Sequence, residues 1–240
     1  MMRPMSDGYS PKRVGVLAPM PSELGPVVKA MGLERDTIGT LEVRRGKVGD
    51  VEVLATKTGI GTKRAKDATN RLLDATEVDH VIVVGIAGGM GATKVGDVII
   101  PEVVVDKDSN TEYRPTPLGD VVPKGRLVTH DDFDMGEAEH QRLVSEGFIA
   151  VDMETAAVAA VCAERGCSWS AVRAISDLVG VTPGDVIDLA NPDGTPNIGA
   201  SLRYLVTKPW RIPKLVKLAR ESTQAANAAA KTATQTLRSL

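Results

Sequence analysis

From Val14 onward, short apolar runs alternate with amphipathic stretches, and that alternation predicts an α/β fold. Val14-Gly-Val-Leu-Ala18 reads as a strand. Pro19-Met-Pro-Ser-Glu-Leu24 reads as the junction into a helix that continues to about Met31, with Pro tolerated in its first turn. Leu41 to Val48 and Val51 to Thr56 flank Gly49-Asp50 and predict a hairpin. Thr58-Gly-Ile-Gly-Thr62 then leads into a basic amphipathic helix from Lys63 to Leu73. Asp79-His-Val-Ile-Val-Val84 has the continuous apolar character of a strand covered on both faces. It runs into Gly85-Ile-Ala-Gly-Gly-Met-Gly91, expected as a glycine-rich loop that either lets backbone approach a ligand or is simply a crowded turn.

A second strand is expected from Val98 to Val105, a polar, Pro-bearing excursion from Asp106 to Lys124, a short strand from Gly125 to Thr129 and a helix from Glu137 to Glu146. The small-residue stretch Met153 to Arg165 predicts a tightly packed helix, stopped by Gly166 and followed by a strand from Trp169 to Ile175. Residues 180 to 197 carry Thr182-Pro-Gly184 and Pro192-Asp-Gly194 and are long enough for a lid or an oligomer contact. Two helices close the chain, about Ile198 to Val206 and Ile212 onward. The Ala/Thr/Gln-rich end is a good helix former but weakly amphipathic, so it is expected to fray or to pack on a neighbouring subunit.

The chain has 240 residues, enough for one α/β domain with a large core. Residues 1–12 are polar and read as a flexible tail; 13–240 read as one domain with a C-terminal helical extension from about residue 208. A net charge of −2 and 3% aromatic residues give no basis for nucleic-acid binding. No stretch reaches membrane-spanning length, so no membrane partner is expected, and the protein is placed in the cytoplasm. Cys162 and Cys167 have no histidine cluster beside them and read as packing residues rather than a disulfide or a metal site.

The candidate chemistry lies in acids at element ends. Glu23 sits at the carboxyl end of a strand, the edge at which open α/β sheets bind ligands. Glu154 and Asp177 bracket the small-residue helix and the strand after it. Taken alone, Glu154 reads first as a helix cap and Asp177 as the start of a turn. Phe133, flanked by acids, is either a core anchor or a stacking platform for a flat ligand. Gly59-x-Gly61 lacks the third glycine of a dinucleotide fingerprint.

Four segments together resemble the nucleoside phosphorylase and nucleosidase superfamily, most closely its methylthioadenosine/S-adenosylhomocysteine nucleosidase branch. They are Val14 to Glu23, Thr58 to Gly61, Gly85 to Gly89 with Val95-Gly-Asp97, and Val151 to Ala156 with Ala174-Ile-Ser-Asp177. The resemblance implies a single-domain, three-layer α/β/α fold around a mixed, partly barrel-like sheet. It implies hydrolysis of a purine nucleoside's N-glycosidic bond, with no metal and no organic cofactor, by a homo-oligomer that is typically a dimer. Asp177 would protonate the purine at N7 and Glu23 would activate water. Glu154 would hold the ribose hydroxyls, Met153 would line the sugar and Phe133 would stack on the base. Ile86, Ala87, Gly88, Asp134 and Ser176 would complete the pocket. The chemistry asks for such a set: oxocarbenium character calls for a nearby anion, the leaving purine for a proton, and water for a base.

Phosphorylases of the superfamily bind phosphate with arginines and a hydroxyl residue, at positions that here hold Glu23, Val83 and Ile86, so water is the expected nucleophile. Arg44 and Arg45 keep phosphorolysis as the alternative. A non-catalytic nucleoside-binding protein on the same fold is an alternative of another class. Ile86 stands where a hydroxyl residue is usual, Asp134 where the adenosine-specific enzymes have an aliphatic one, and the interval from Asp97 to Thr129 is shorter than in the methylthioadenosine enzymes. That interval supplies their alkylthio pocket, so futalosine-like or adenosylhopane-type nucleosides stay open as substrates.

Overall fold

The computed structural model describes residues 10–132, 136–179 and 207–240, together with residues 189, 191, 193–195, 197, 199 and 203. The expectations for the tail before residue 10, for Phe133 and Asp134, for most of 180–197 and for the helix at Ile198 to Val206 therefore lie outside the described residues.

Eleven described strands form one mixed sheet: β1 Arg13–Ala18, β2 Glu34–Ile38, β3 Leu41–Val48, β4 Val51–Lys57, β5 His80–Gly89, β6 Val98–Ile99, β7 Val103–Asp106, β8 Thr111–Tyr113, β9 Arg126–Thr129, β10 Phe148–Asp152 and β11 Ser168–Leu178. The main order is β2-β3-β4-β1-β5-β10-β9-β7-β8, with β11 pairing both β5 and β6. Strand β5 is the branch point. Its first half lies parallel between β1 and β11, whereas its last residues, Gly88 and Gly89, lie between β11 and antiparallel β10. This change of neighbour along a single strand curls the sheet.

Side-chain alternation along the central strands fills two cores. Leu17, Val81, Val83 and Ala87 face one, with Ala65 and Leu72 of α2 (Thr62–Ala75) and Ala156, Val158 and Ala159 of α4 (Thr155–Arg165). Val14, Val16, Ile82 and Val84 face the other, with Val27 and Met31 of α1 (Pro21–Met31) and the alanines of the C-terminal helix α5 (Ile212–Arg238). Each fully buried Val or Leu contributes about 1.5–3 kcal/mol, so burying the central strands on both faces makes them the rigid frame of the molecule. Helix α3 (Glu137–Ser145) packs beside β10.

Five expectations change. The glycine run after Val84 is strand, not loop, as far as Gly89. The expected strand Val98 to Val105 is split around Pro101, which cannot donate to a ladder. Strands β2, β8 and β10 are additional, β8 lying within the excursion expected at 106–124. Asp177 is part of β11 rather than the start of a turn. Finally, the Ala-rich end packs on its own domain: Ala225, Ala226, Ala229, Ala230, Ala233 and Leu237 are buried against β11, β5 and α1.

Candidate active site

Glu23 occupies the third position of α1 and is 2% exposed. Its carboxylate turns back on the chain: Oε2 accepts the Met20 N–H at 2.8 Å. Oε1 accepts the Ile86 N–H, also at 2.8 Å, which ties α1 to β5. Burial pushes the Glu23 carboxyl up to about 7, against the opposing pull of Arg173 and the two backbone donors.

Arg173 lies opposite Gly85 on the β5–β11 ladder and is completely buried. Its Nη2 is 2.7 Å from Asp152 Oδ2 and 3.1 Å from Glu154 Oε2, and its Nη1 is 3.9 Å from Glu23 Oε1. Nη1 also donates to the Ile86 carbonyl at 3.3 Å. Gly85 makes this convergence sterically feasible. A Cβ there would come within 2.6 Å of Arg173 Nη1 and would overlap Glu23 Oε1. The space opened by this glycine is filled by Glu23 and Arg173.

Three buried carboxylates thus surround one guanidinium. If all three were ionised the cluster would carry two uncompensated negative charges away from water, which is strongly unfavourable. Burial raises the Glu154 pKa above the usual carboxylate range despite Arg173, and the negative charges of Asp152 and Glu23 push the same way. Both effects bias the cluster toward holding a proton.

Glu154 stands at the N-cap of α4, but its side chain does not cap the helix. Asp152 does so instead, accepting the N–H groups of Glu154 and Thr155 at 3.3 and 3.2 Å and the hydroxyls of Thr129 and Thr155. Glu154 is left free to bond the Gly61 N–H through Oε1 at 3.1 Å and Arg173 through Oε2. The cap role belongs to the residue two positions earlier.

Asp177 is reached through a bulge. Ile175 pairs with Ala87 and Asp177 with Gly88, so Ser176 is the extra residue that re-aims the end of β11. Ser176 is 3% exposed and donates to Asp177 Oδ1 at 2.6 Å. Its hydroxyl also lies 3.5 Å from the Ala87 carbonyl. Asp177 itself is only partly buried, unlike Glu23 and Glu154. Met153 is likewise partly exposed beside Glu154. Ile86 contributes both of its backbone groups to the cluster, its N–H to Glu23 and its carbonyl to Arg173.

Expected residues Glu23, Ile86, Ala87, Gly88, Glu154, Ser176 and Asp177 thus come together around the carboxyl ends of β1, β5 and β11. Arg45 does not join them: it pairs with Glu52 and Asp36 on the outer hairpin. Sequence reasoning missed Arg173 and Asp152. The available signal was an arginine inside the apolar run Ala171-Val-Arg-Ala-Ile175, a position that a buried strand tolerates only when it is paired. Among the described residues no group of His, Cys, Asp and Glu has the arrangement of a metal site.

The family model described as Phosphorylase superfamily matches residues 13–123 and 117–190. The chain belongs to the phosphorylase superfamily. Within that superfamily it is 34% identical over 178 residues to a 5′-methylthioadenosine/S-adenosylhomocysteine nucleosidase of Bacillus pumilus, covering 61% of this chain and 77% of that one. It is 28% identical over 229 residues to the enzyme of the same name from Tolumonas auensis, covering 80% of this chain and all (100%) of that one. Among solved structures, the Arabidopsis thaliana 5′-methylthioadenosine nucleosidase superposes with a TM-score of 0.73 at 20% identity, covering 97% of this chain and 100% of that one. The futalosine hydrolase of Helicobacter pylori superposes with a TM-score of 0.69 at 19% identity, covering 95% of this chain and 98% of that one. These superpositions support the superfamily fold, with its three layers and mixed sheet.

Proposed function

We propose that this member of the phosphorylase superfamily is a nucleosidase that hydrolyses the N-glycosidic bond of a purine nucleoside. The observation that carries the reading is the Arg173 cluster. It brings Glu23 and Glu154 side by side, at the edge where β11 presents Asp177, and it commits the cluster's guanidinium to carboxylates. A phosphate dianion entering there would meet three acids whose one guanidinium is already committed to them, which favours water as the nucleophile.

In this reading Asp177, oriented by Ser176, gives its proton to N7 as the C1′–N9 bond breaks and the bonding pair leaves with the purine. Glu154, anchored by Gly61 and Arg173, holds the ribose hydroxyls, and the acids that outnumber Arg173 leave net negative charge near the oxocarbenium-like sugar. Glu23 takes a proton from water as its oxygen bonds to C1′, giving free base and free sugar. A Glu23 carboxyl near 7 suits a base that must both exist ionised and accept a proton at neutral pH. Met153 is assigned to the sugar and, on the resemblance alone, Phe133 and Asp134 are assigned to the base. The short interval between Asp97 and Thr129 favours a 5′ substituent other than a small alkylthio group. Assembly as a homodimer and residence in the cytoplasm belong to the same proposal.

A panel of purine nucleosides with and without phosphate, followed by product analysis, tests this reading. Base and free sugar should appear without phosphate. Strict phosphate dependence would make the protein a phosphorylase. Nucleosides that raise the melting temperature but never turn over would make it a binding protein.

A further inference from the structure

The start of α5 differs from the rest of the surface in two respects. Of six exposed large hydrophobic residues among the described residues, three fall within seven positions: Trp210 at 72%, Ile212 at 38% and Val216 at 55% exposure. The same stretch, Lys208 to Arg220, carries five cations and no acid, in a chain whose net charge is −2. Ile212 and Val216 are one helical turn apart and share a face, with Trp210 in the turn that precedes the helix. Leu215 and Leu218 are half-buried. Lys214, Lys217 and Arg220 are exposed around the rest of the helix. Lys217 is 74% exposed while reaching Glu221 Oε1 at 3.7 Å.

An apolar strip headed by a tryptophan and bordered by cations is the pattern of a helix that lies in the plane of a membrane surface. Rings such as Trp210 settle at the headgroup level, and lysine or arginine beside them is attracted to anionic headgroups. No described helix is long and apolar enough to cross a membrane, a test that does not bear on a helix lying along one. We propose that Lys208 to Arg220 docks this protein on anionic lipid surfaces, with Trp210, Ile212 and Val216 entering the interface and Lys214, Lys217 and Arg220 facing the headgroups.

The chain carries its own probe. Its second tryptophan, Trp169, is 5% exposed, so a change in emission on binding reports on Trp210. Full-length protein is mixed with vesicles of phosphatidylcholine alone or of phosphatidylcholine and phosphatidylglycerol in equal parts, and sedimentation and emission are followed. The expected result is co-sedimentation and a blue shift with the anionic vesicles, at least about tenfold weaker with neutral ones and weakened by salt. Lys217→Ser with Arg220→Ser should weaken anionic binding by about fivefold per cation. Val216→Ser should reduce it while leaving melting temperature and base release unchanged. The proposal is overturned if neither vesicle sediments the protein, or if neutral and anionic vesicles bind equally. It is overturned too if the blue shift follows protein concentration without vesicles, which would make a second copy the occupant of this face.

Discussion

At the start of β5, His80 is fully buried and its Nε2 lies 2.9 Å from Ser170 Oγ on β11. Five positions further along the same ladder, Gly85 faces Arg173, and Glu23, Asp152 and Glu154 crowd around it. Both ends bury polar groups in the same two strands, but they solve the problem differently. The His80 end stays neutral: burial lowers the imidazole pKa to about 3. The Arg173 end keeps charge and has more negative groups than its cation can balance. A neutral hydrogen-bonded pair is a structural answer to burial. An unbalanced ion cluster, placed at the carboxyl edge beside Asp177, is costly to maintain and is expected where protons must move.

The largest effect is expected from removing the proposed proton donor next to the cluster. Asp177→Asn should lower base release by about 10²–10⁴-fold while the melting temperature hardly moves. A variant retaining most of its activity would separate the cluster from catalysis. Glu23→Gln should cost about 10²-fold or more in kcat/KM. In the wild type kcat/KM should rise as pH increases through about 7, because the base must be ionised, and that limb should disappear in the variant.

Arg173→Met tests the cluster as a structural element. Urea unfolding at pH 7 should show a loss of about 3–5 kcal/mol, since three buried acids lose their cation. The loss should shrink toward pH 5, where the raised carboxyls hold protons. A loss under about 1 kcal/mol at pH 7 would mean that the acids do not depend on Arg173.

The smallest effect distinguishes the two ends by sign. The Glu23 pKa is raised on folding, so its contribution is present below about 4.5 and is lost as pH rises toward 7. The His80 pKa is lowered, so the native state binds fewer protons than the unfolded chain between about 3 and 6.5, and its contribution is lost as pH falls through that range. Unfolding free energies of wild type minus Glu23→Gln should therefore decline with rising pH. Those of wild type minus His80→Gln should decline with falling pH, each by at most about 1.4 kcal/mol per pH unit. Equal signs would contradict the contrast between the two ends.

Much of this was legible in the sequence, and the gaps have physical causes. Period and turn chemistry mark β1, the β3–β4 hairpin, α2 and α4, because those signals are local. Glu23, Glu154 and Asp177 could be placed at element ends for the same reason. Arg173 and Asp152 could not, since their roles depend on which residues meet across ladders. Gly85 opposite Arg173 and Thr129 opposite Asp152 are facts of register between distant segments. The glycine run reads as loop from sequence because glycine disfavours strands on average. Here it clears room for Glu23 and Arg173 at Gly85 and for Val151 at Gly88. Strand β2 leaves little trace in the sequence, because its largely exposed, polar segment Glu-Arg-Asp-Thr-Ile carries little strand signal.

The central claim, water attack at C1′ promoted by Glu23 within the Arg173 cluster, is tested most directly by turnover of a purine nucleoside in oxygen-18 water, followed by mass analysis of the sugar. A free sugar carrying one labelled oxygen at C1 should form at the same rate with or without phosphate. An unlabelled sugar phosphate, formed only when phosphate is present, would contradict it.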